Sequence, residues 1–257
     1  MEMWSGPLAN DQAAIVKDPL HRLLLKLGTR DIITAEEEAV LRDSLGEIRE
    51  MPSNKIVVRA GVEVGECTLL LEGYICRFKD LRDGQRQIME IHVPGDFLDL
   101  HTFLLKRLEH HVGSLTPVRL AIVPHDQLRD ITERHPHLAR MLWFSTLLDA
   151  SIHRERILSI GRRSALARIA HLLCELNVRL GLVGLAAGNR YLLPVTQADI
   201  ADATGLTSVH VNRMLKQLRD QELLTFRNGE VIIHEWDRLQ TLAEFSSRYL
   251  YMERRPR

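Results

Sequence analysis

The segment that decides the fold is VTQADIADATGLTSVHVNRMLKQLRDQELL, which runs from Val195 to Leu224. Thr196 is a suitable N-cap for a helix that begins near Gln197, because its hydroxyl oxygen can accept a hydrogen bond from an unpaired N–H of the first turn. Ala201 is small enough to let a second helix cross closely, and Gly205 can adopt the left-handed conformation that a tight turn needs. These offsets predict a helix-turn-helix.

The second helix of this pair has an apolar face and a polar face. Thr207 or Ser208 caps its start. Its buried stripe consists of Val211, Met214, Leu215 and Leu218. Thr, Ser, Asn and Arg side chains on the other face can hydrogen-bond to base edges, and Val can contact a thymine methyl group. A polar face that meets only solvent is the alternative interpretation.

We therefore predict a DNA-reading surface on this face. Arg213 is expected to bind a guanine, whereas Gln197 and Lys216 are expected to meet phosphates. The predicted DNA-binding residues are Gln197, Thr207, Ser208, Val209, His210, Asn212, Arg213 and Lys216.

The residues that follow favour the same interpretation. Two strand-like runs, LLTFR and EVIIH, flank Asn228-Gly229, which is a strong indication of a two-residue hairpin turn. A hairpin directly after a helix-turn-helix is a wing. Residues 151–257 also carry 16 Lys and Arg against 11 Asp and Glu, a net charge of +5, which suits a nucleic-acid partner.

The first half of the chain has a different pattern. Residues 19–50 are predicted to be helical, with a capping box formed by Thr34 and Glu37. From Lys55 to about Pro124, short β-rich runs alternate with glycines, and Asp83-Gly84 predicts a hairpin between two of them. Closely spaced strands of this kind predict a small barrel or double-sheet roll.

A long helical pattern, PHLARMLWFSTLLDASIHRERILSI, covers Pro136–Ile160. Apolar residues recur at steps of three and four over about 25 residues, which favours either a core helix packed on the roll or a two-stranded dimer interface. Gly161 is expected to interrupt the helix and to act as a hinge. The residues predicted at the dimer interface are Leu138, Leu142, Ser145, Leu148 and Ile152.

These patterns predict an α+β fold in three parts. An N-terminal β-roll sensor domain with its helices would cover residues 1–135, a dimerisation helix 136–162, and a winged helix-turn-helix domain 163–257. The scattered cysteines Cys67, Cys76 and Cys174 argue against a Cys-rich metal or iron–sulfur site, and each is expected to pack as a small apolar residue.

Other classes of protein lack support in the sequence. No H-E-x-x-H, G-x-S-x-G or P-loop spacing occurs, so we expect no catalytic residues, no enzyme and no metal site. No run reaches transmembrane length, and the start MEMWSGPLANDQAA shows neither a basic segment nor an apolar one. We therefore expect a cytoplasmic protein without a membrane partner.

The order of roll, long helix and winged helix-turn-helix resembles the CRP/FNR family of bacterial transcription regulators. The resemblance spans roughly residues 20–240. It implies a cytoplasmic homodimer that binds double-stranded DNA at a palindromic operator and contacts RNA polymerase. The segments that carry it are LLLEGYICRFKD and GQRQIMEIHVPGDF in the roll, ALARIAHLL after the long helix, and Val195–Leu224 with its wing.

Two departures from the family concern its ligands. Relatives that bind cyclic AMP carry Gly-Glu shortly after a Gly-Asp-Phe turn and an Arg-Ser or Arg-Thr pair further on. Here Asp99-Leu100 stands at the first place, and LEHHVGS shows no such pair at the second. A phosphate would meet Asp99 instead of a helix N-terminus and an arginine, so no cyclic-AMP dependence is expected. The oxygen-sensing branch uses a set of cysteines that this chain lacks.

Two further points stay open at this level. His153 lies where haem-binding or other relatives contact an effector, and it is either a ligand or a polar helix residue. A small-molecule, haem or redox-sensing module that acts through protein contacts is the alternative function. Relatives that bind TGTGA half-sites use an Arg-Glu pair where Ser208 and Val209 stand here, while Arg213 matches a later arginine. The half-site is therefore expected to differ.

Overall fold

Two helices precede the first sheet. In this computed structural model, which describes residues 18–254, α1 spans His21–Gly28 and α2 spans Ala35–Asp43. The predicted capping box is confirmed, because Thr34 Oγ1 accepts a hydrogen bond from Glu37 N and Glu37 Oε2 accepts one from Thr34 N. The helical prediction for residues 19–50 extended too far, since a strand begins at residue 48. The N-terminal segment MEMWSGPLANDQAA, in which no signal-peptide pattern was found, lies outside the described residues.

Seven strands form the predicted roll. They pair in two antiparallel sheets, of order β1-β7-β3 and β2-β6-β4-β5, with apolar side chains packed between them. Their bounds are β1 Ile48–Met51, β2 Ile56–Val58, β3 Glu66–Glu72, β4 Ile75–Asp80, β5 Arg86–His92, β6 His111–Ser114 and β7 Val118–Pro124. The β4–β5 hairpin turns at Asp83-Gly84 as predicted, with a φ of 84° at Gly84.

One short helix, α3 Thr102–Leu105, lies between strands β5 and β6, and three helices follow strand β7: α4 His125–Arg134, α5 Pro136–Arg162 and α6 Ala165–Leu182. The long helix α5 has 27 residues and continues through Gly161, so the predicted interruption at this glycine is wrong. The break falls at Arg163, which is extended, and Ser164 then caps α6 by accepting a hydrogen bond from Ala167 N.

The C-terminal region contains a helix-turn-helix and a small sheet of order β10-β11-β9-β8. The elements are β8 Ala186–Ala187, β9 Arg190–Leu192, α7 Gln197–Thr204, α8 Ser208–Asp220, β10 Leu224–Arg227, β11 Glu230–Ile233 and α9 Trp236–Leu242. Asn228 and Gly229 both have positive φ, 52° and 74°, as a type I′ turn requires. The predicted wing and the predicted α+β fold are therefore confirmed.

The long helix takes part in the core of its own chain, and this corrects the predicted dimer interface. Leu138 and Leu142 belong to a buried cluster with α1 and β3, while Leu148 and Ile152 pack in a cluster that also holds β5 and α6 residues. Ser145 is also buried, and its Oγ donates to the Met141 carbonyl. These five predicted interface residues are covered by the roll and by α6, so this face is not free for a second copy.

The three cysteines are buried as small apolar residues, as predicted. Cys67 lies in the cluster around α1, while Cys76 and Cys174 lie in the cluster that joins the roll to the C-terminal region. Burial raises the pKa of each thiol to about 12, so none of them is a thiolate at neutral pH.

Candidate nucleic-acid interface

The first helix of the helix-turn-helix begins at a capping box. Thr196 Oγ1 accepts a hydrogen bond from Asp199 N over 3.1 Å, and Asp199 Oδ2 accepts one from Thr196 N over 2.9 Å. The helix ends at Gly205, whose φ of 64° and ψ of 40° place it in the left-handed region. Leu206 N then bonds back to the Ala201 carbonyl and closes the turn. The turn therefore forms through the residues that the sequence indicated.

The second helix, α8, buries one face and exposes the other. Thr207 is its cap, because Thr207 Oγ1 accepts a hydrogen bond from His210 N, and Ser208 is the first helical residue. Val211 and Leu218 are fully buried in the C-terminal core, whereas the Val209 side chain on the opposite face is 81% exposed. An apolar side chain that is so exposed beside polar neighbours is free to contact a thymine methyl group.

The predicted DNA-binding residues lie together on this exposed face. Asn212 Nδ2 donates a hydrogen bond to Gln197 Oε1 over 3.3 Å, which links the start of α7 to the middle of α8. Within the part of the chain that the structure describes, neither Arg213 nor Lys216 has an ion-pair partner, so both charges face solvent. His210 is half-buried, and the exposed members of the set are Gln197, Thr207, Ser208, Val209, Asn212, Arg213 and Lys216.

An apolar stripe on the outer face of α5 escaped the sequence prediction. Trp143, Leu147 and Ile157 are 66%, 53% and 72% exposed. With the half-buried Ala150 between them, they follow steps of four, three and seven residues, which is the repeat of a two-stranded coiled coil. The three- and four-residue spacing of these apolar side chains, on a face next to the predicted seam, is the sequence signal for this stripe. We call these four residues the outer stripe.

The loop that departs from cyclic-AMP-binding relatives turns a carboxyl group inward. Asp99 is buried, and its Oδ1 and Oδ2 accept hydrogen bonds from Thr68 N over 2.6 Å and Thr68 Oγ1 over 3.2 Å. Burial raises the pKa of Asp99 to about 7. Arg77, the only arginine of strand β4, donates hydrogen bonds from Nε and Nη2 to the carbonyl oxygen of Leu98. The Asp99 carboxyl group and the Arg77 guanidinium therefore both have partners within the protein.

A buried ion network joins the roll to α5 and α6. Glu90 on β5 receives Nη1 of Arg77 at 3.3 Å, Nη2 of Arg179 at 3.5 Å and Nε2 of His153 at 2.9 Å. Arg179 also bonds to Asp96 Oδ2 over 2.7 Å. Burial acts to raise the pKa of Glu90, but the neighbouring positive charges outweigh it and hold that pKa well below its usual range.

The network gives His153 a partner within the protein, the Glu90 carboxylate. Arg179 was not singled out from the sequence, because two of its carboxylate partners, Glu90 and Asp96, are more than 80 residues away along the chain. Among residues 18–254, no group of three or more His, Cys, Asp or Glu side chains is arranged to hold a metal ion. In the same range, no helix combines the length and the apolar character needed to span a bilayer.

Comparison with known proteins extends what the geometry shows. Residues 167–242 match the family model described as a Crp-like helix-turn-helix domain, and residues 48–135 match that of a cyclic nucleotide-binding domain. The nitrogen fixation regulation protein FixK of Bradyrhizobium diazoefficiens is 30% identical over 179 residues, which are 68% of this chain and 72% of the relative. The chain belongs to the CRP/FNR family of transcription regulators.

Other proteins support the same placement in the CRP/FNR family. The transcriptional activatory protein AadR of Rhodopseudomonas palustris is 32% identical over 180 residues, 68% of this chain and 72% of AadR. The solved structure of FixK2 from Bradyrhizobium japonicum superposes with a TM-score of 0.71 at 25% identity, covering 78% of this chain and 98% of FixK2. These relatives are regulators, and neither matched family model describes an enzyme.

Proposed function

We propose that this CRP/FNR-family protein is a homodimer that binds a palindromic DNA operator without cyclic AMP and contacts RNA polymerase from there, in the cytoplasm. The observation that carries the proposal is the exposed polar face of α8. The opposite face of this helix is buried, and Arg213 and Lys216 on the exposed face have no ion-pair partner among the described residues. A helix held in this way can enter a major groove without rearrangement of its own domain.

Each exposed side chain suits one kind of DNA contact. The Arg213 guanidinium can bind O6 and N7 of one guanine at the same time, and Asn212 can bind an adenine. Ser208 and Val209 meet the neighbouring bases, one by a hydroxyl and the other by a methyl contact. Thr207, Gln197, His210 and Lys216 lie at the edges of the face, where phosphates pass.

The outer stripe of α5 is the surface proposed to join two copies. Trp143, Leu147 and Ile157 would pack against the same residues of a second chain and remove exposed apolar surface from water. Two copies of α8 would then face successive major grooves about 34 Å apart, which requires half-sites one helical turn apart. The dimer thus accounts for a palindromic operator.

Two side chains in the roll interior support the proposed independence from cyclic AMP. Asp99 stands where the resemblance implies a phosphate contact in relatives that bind cyclic AMP, and Arg77 already bonds to Leu98 and Glu90. We assign His153 as a partner of Glu90 within the protein rather than as an effector ligand, because its Nε2 lies 2.9 Å from Glu90 Oε2.

Binding to DNA can be tested by titrating the purified protein onto an operator obtained by selection, at several salt concentrations and with or without cyclic AMP. The proposal expects nanomolar binding without the nucleotide and a linear fall of log affinity with log salt. Affinity that is independent of salt would contradict DNA binding. Binding that requires cyclic AMP would contradict only the statement about the effector.

A further inference from the structure

The helix-turn-helix must be held at a fixed angle to the long helix if two copies are to match two half-sites. Two extended residues, Arg163 and Ser164, connect α5 to α6, and an ion pair between Arg156 and Glu175 joins these two helices directly. Contacts between the roll and the helix-turn-helix add a further restraint on the position of α8. The roll supplies such contacts through β5, which packs directly against α7.

Arg86, at the start of β5, makes the central contact. Its Nε lies 2.7 Å from Asp202 Oδ2, and its Nη2 lies 2.7 Å from Asp199 Oδ1. The next residue, Gln87, donates a hydrogen bond from Nε2 to the Asp202 carbonyl over 2.7 Å. The β4–β5 hairpin of the roll therefore contacts two successive turns of α7, through the side chains of Asp199 and Asp202 and through the backbone carbonyl of Asp202.

We call the contacts of Arg86 with Asp199 and Asp202 the Arg86 bridge, and its geometry is restrained by neighbouring groups. The Arg86 guanidinium lies over the Phe78 ring, 5.6 Å from its centre, which restricts the plane of the guanidinium. Asp199 is also the residue whose Oδ2 closes the capping box of α7 with Thr196. One carboxylate thus joins the roll hairpin to the helix cap, so a shift of the hairpin is passed to the start of the helix-turn-helix.

Arg179, the other arginine at this junction, differs from Arg86 in its burial. It is buried, and its loss would leave the Glu90 and Asp96 carboxylates buried with fewer partners, which destabilises the whole protein. The Arg86 side chain is 27% exposed at the rim of the junction. Its partner Asp202 is 28% exposed, and the buried Asp199 keeps hydrogen bonds from Thr196 N and Oγ1, so Arg86 can be removed without leaving a carboxylate unpartnered.

We propose that Arg86 is a positioning residue for DNA recognition, which sets the spacing between half-sites by fixing α7 and α8 relative to the long helix. This inference rests on the proposed dimeric operator binding. Arg86 does not read DNA itself, because it lies between the roll and α7, and the recognition face of α8 stays exposed while the bridge is formed. The bridge therefore orients the reading surface and does not cover it.

The test compares binding to the selected operator with binding to versions that have one base pair added or removed between the half-sites. The wild type is expected to prefer its own spacing strongly. Arg86→Ala should reduce that preference about fivefold or more, as expected for the loss of a coupling contact. Asp202→Asn should act in the same direction. Arg82→Ala removes an exposed arginine from the turn of the same hairpin and should leave the preference unchanged.

Three outcomes would overturn the inference. Arg86→Ala could keep the full spacing preference, it could weaken all three DNAs equally, or it could strengthen binding to the optimal operator. Thermal unfolding of each variant, measured alongside, shows whether a lost preference reflects a lost fold, and Asp202→Asn then carries the test. A wild type that shows no spacing preference at all would overturn the proposed dimeric function and this inference together.

Discussion

Asn212 on the recognition helix donates a hydrogen bond to Gln197 at the start of the preceding helix, with 3.3 Å between Nδ2 and Oε1. Both side chains are exposed, so the bond orients two polar groups before any DNA is present. Asn212 must exchange or share this bond when it meets a base, whereas the neighbouring Arg213 keeps all its donors free. Arg213 is therefore the stronger candidate for base readout.

Arg213→Ala is expected to weaken binding to the best operator by about 1–3 kcal/mol and to relax the preference for one guanine. The reason is the loss of a two-point contact to that base. The measurement compares the variant on the selected operator and on DNA in which that one base pair is changed. Equal weakening on both DNAs would show that Arg213 contacts the backbone instead.

Lys216→Ala tests a proposed phosphate contact on the same helix, for comparison with the base contact of Arg213. It should weaken binding to all sequences similarly and reduce the slope of log affinity against log salt by about one unit, because about one counterion fewer is released. Titrations at four salt concentrations on specific and random DNA measure the slope. A change confined to the specific operator would contradict the assignment of Lys216 to a phosphate.

Leu147→Glu should split the dimer at micromolar concentration. Two carboxylates would enter an apolar seam without partners, at a cost of several kcal/mol. Leu148→Ala is the control, because Leu148 is buried within its own chain. The control should lower the free energy of unfolding by about 2–4 kcal/mol and leave the dimer intact. Sedimentation gives the oligomeric state, and a dimeric Leu147→Glu protein would refute the outer stripe as the interface.

Two glycines with positive φ are expected to respond differently to alanine. At Gly205 the nearest atom to an added Cβ is Arg168 Nη1 at 3.6 Å, so the cost is only backbone strain of about 1–2 kcal/mol. At Gly95 the added Cβ would lie 2.9 Å from the backbone of Arg22, so strain and a clash combine to about 3–5 kcal/mol. Denaturant unfolding of both variants measures the difference. An equal decrease in the free energy of unfolding for both variants would show that the backbone near Arg22 moves to accommodate the added Cβ.

His137 is expected to make stability depend on pH. Burial acts to lower its pKa, but contacts to Glu37 at 2.6 Å and Asp31 at 3.2 Å outweigh this and raise the pKa above its ordinary value of 6.5. The folded state therefore binds the proton more tightly than the unfolded state. The stabilisation is complete below the unfolded pKa and is lost as pH rises through the folded pKa.

His137→Gln should remove this pH dependence. The free energy of unfolding, measured between about pH 6 and pH 9, should fall less steeply with rising pH in the variant than in the wild type. An unchanged slope in His137→Gln would show that other groups are responsible.

The parts of the fold that depend on local chemistry could be predicted from the sequence. Thr34, Thr196 and Thr207 cap helices, and Asp83-Gly84 and Asn228-Gly229 form turns, because each of these features depends on residues within a few positions of one another. The exposed face of α8 followed in the same way once the buried stripe of that helix was assigned.

The parts that depend on distant residues could not be predicted. Helix α5 has two apolar stripes, and only packing against α1, β5 and α6 decides that Leu148 is buried and Leu147 is exposed. The Arg86 bridge likewise joins residues more than 110 positions apart. Periodicity shows which side chains share a face, but it does not show which face meets the rest of the chain.

Selection of binding sites from random DNA with the purified protein tests the central claim most directly. The account predicts enrichment of a palindrome whose half-sites lie one helical turn apart and contain a guanine, obtained without added cyclic AMP. Recovery of no enriched sequence, or of a single non-repeated site, would contradict a dimer that reads DNA with two copies of α8.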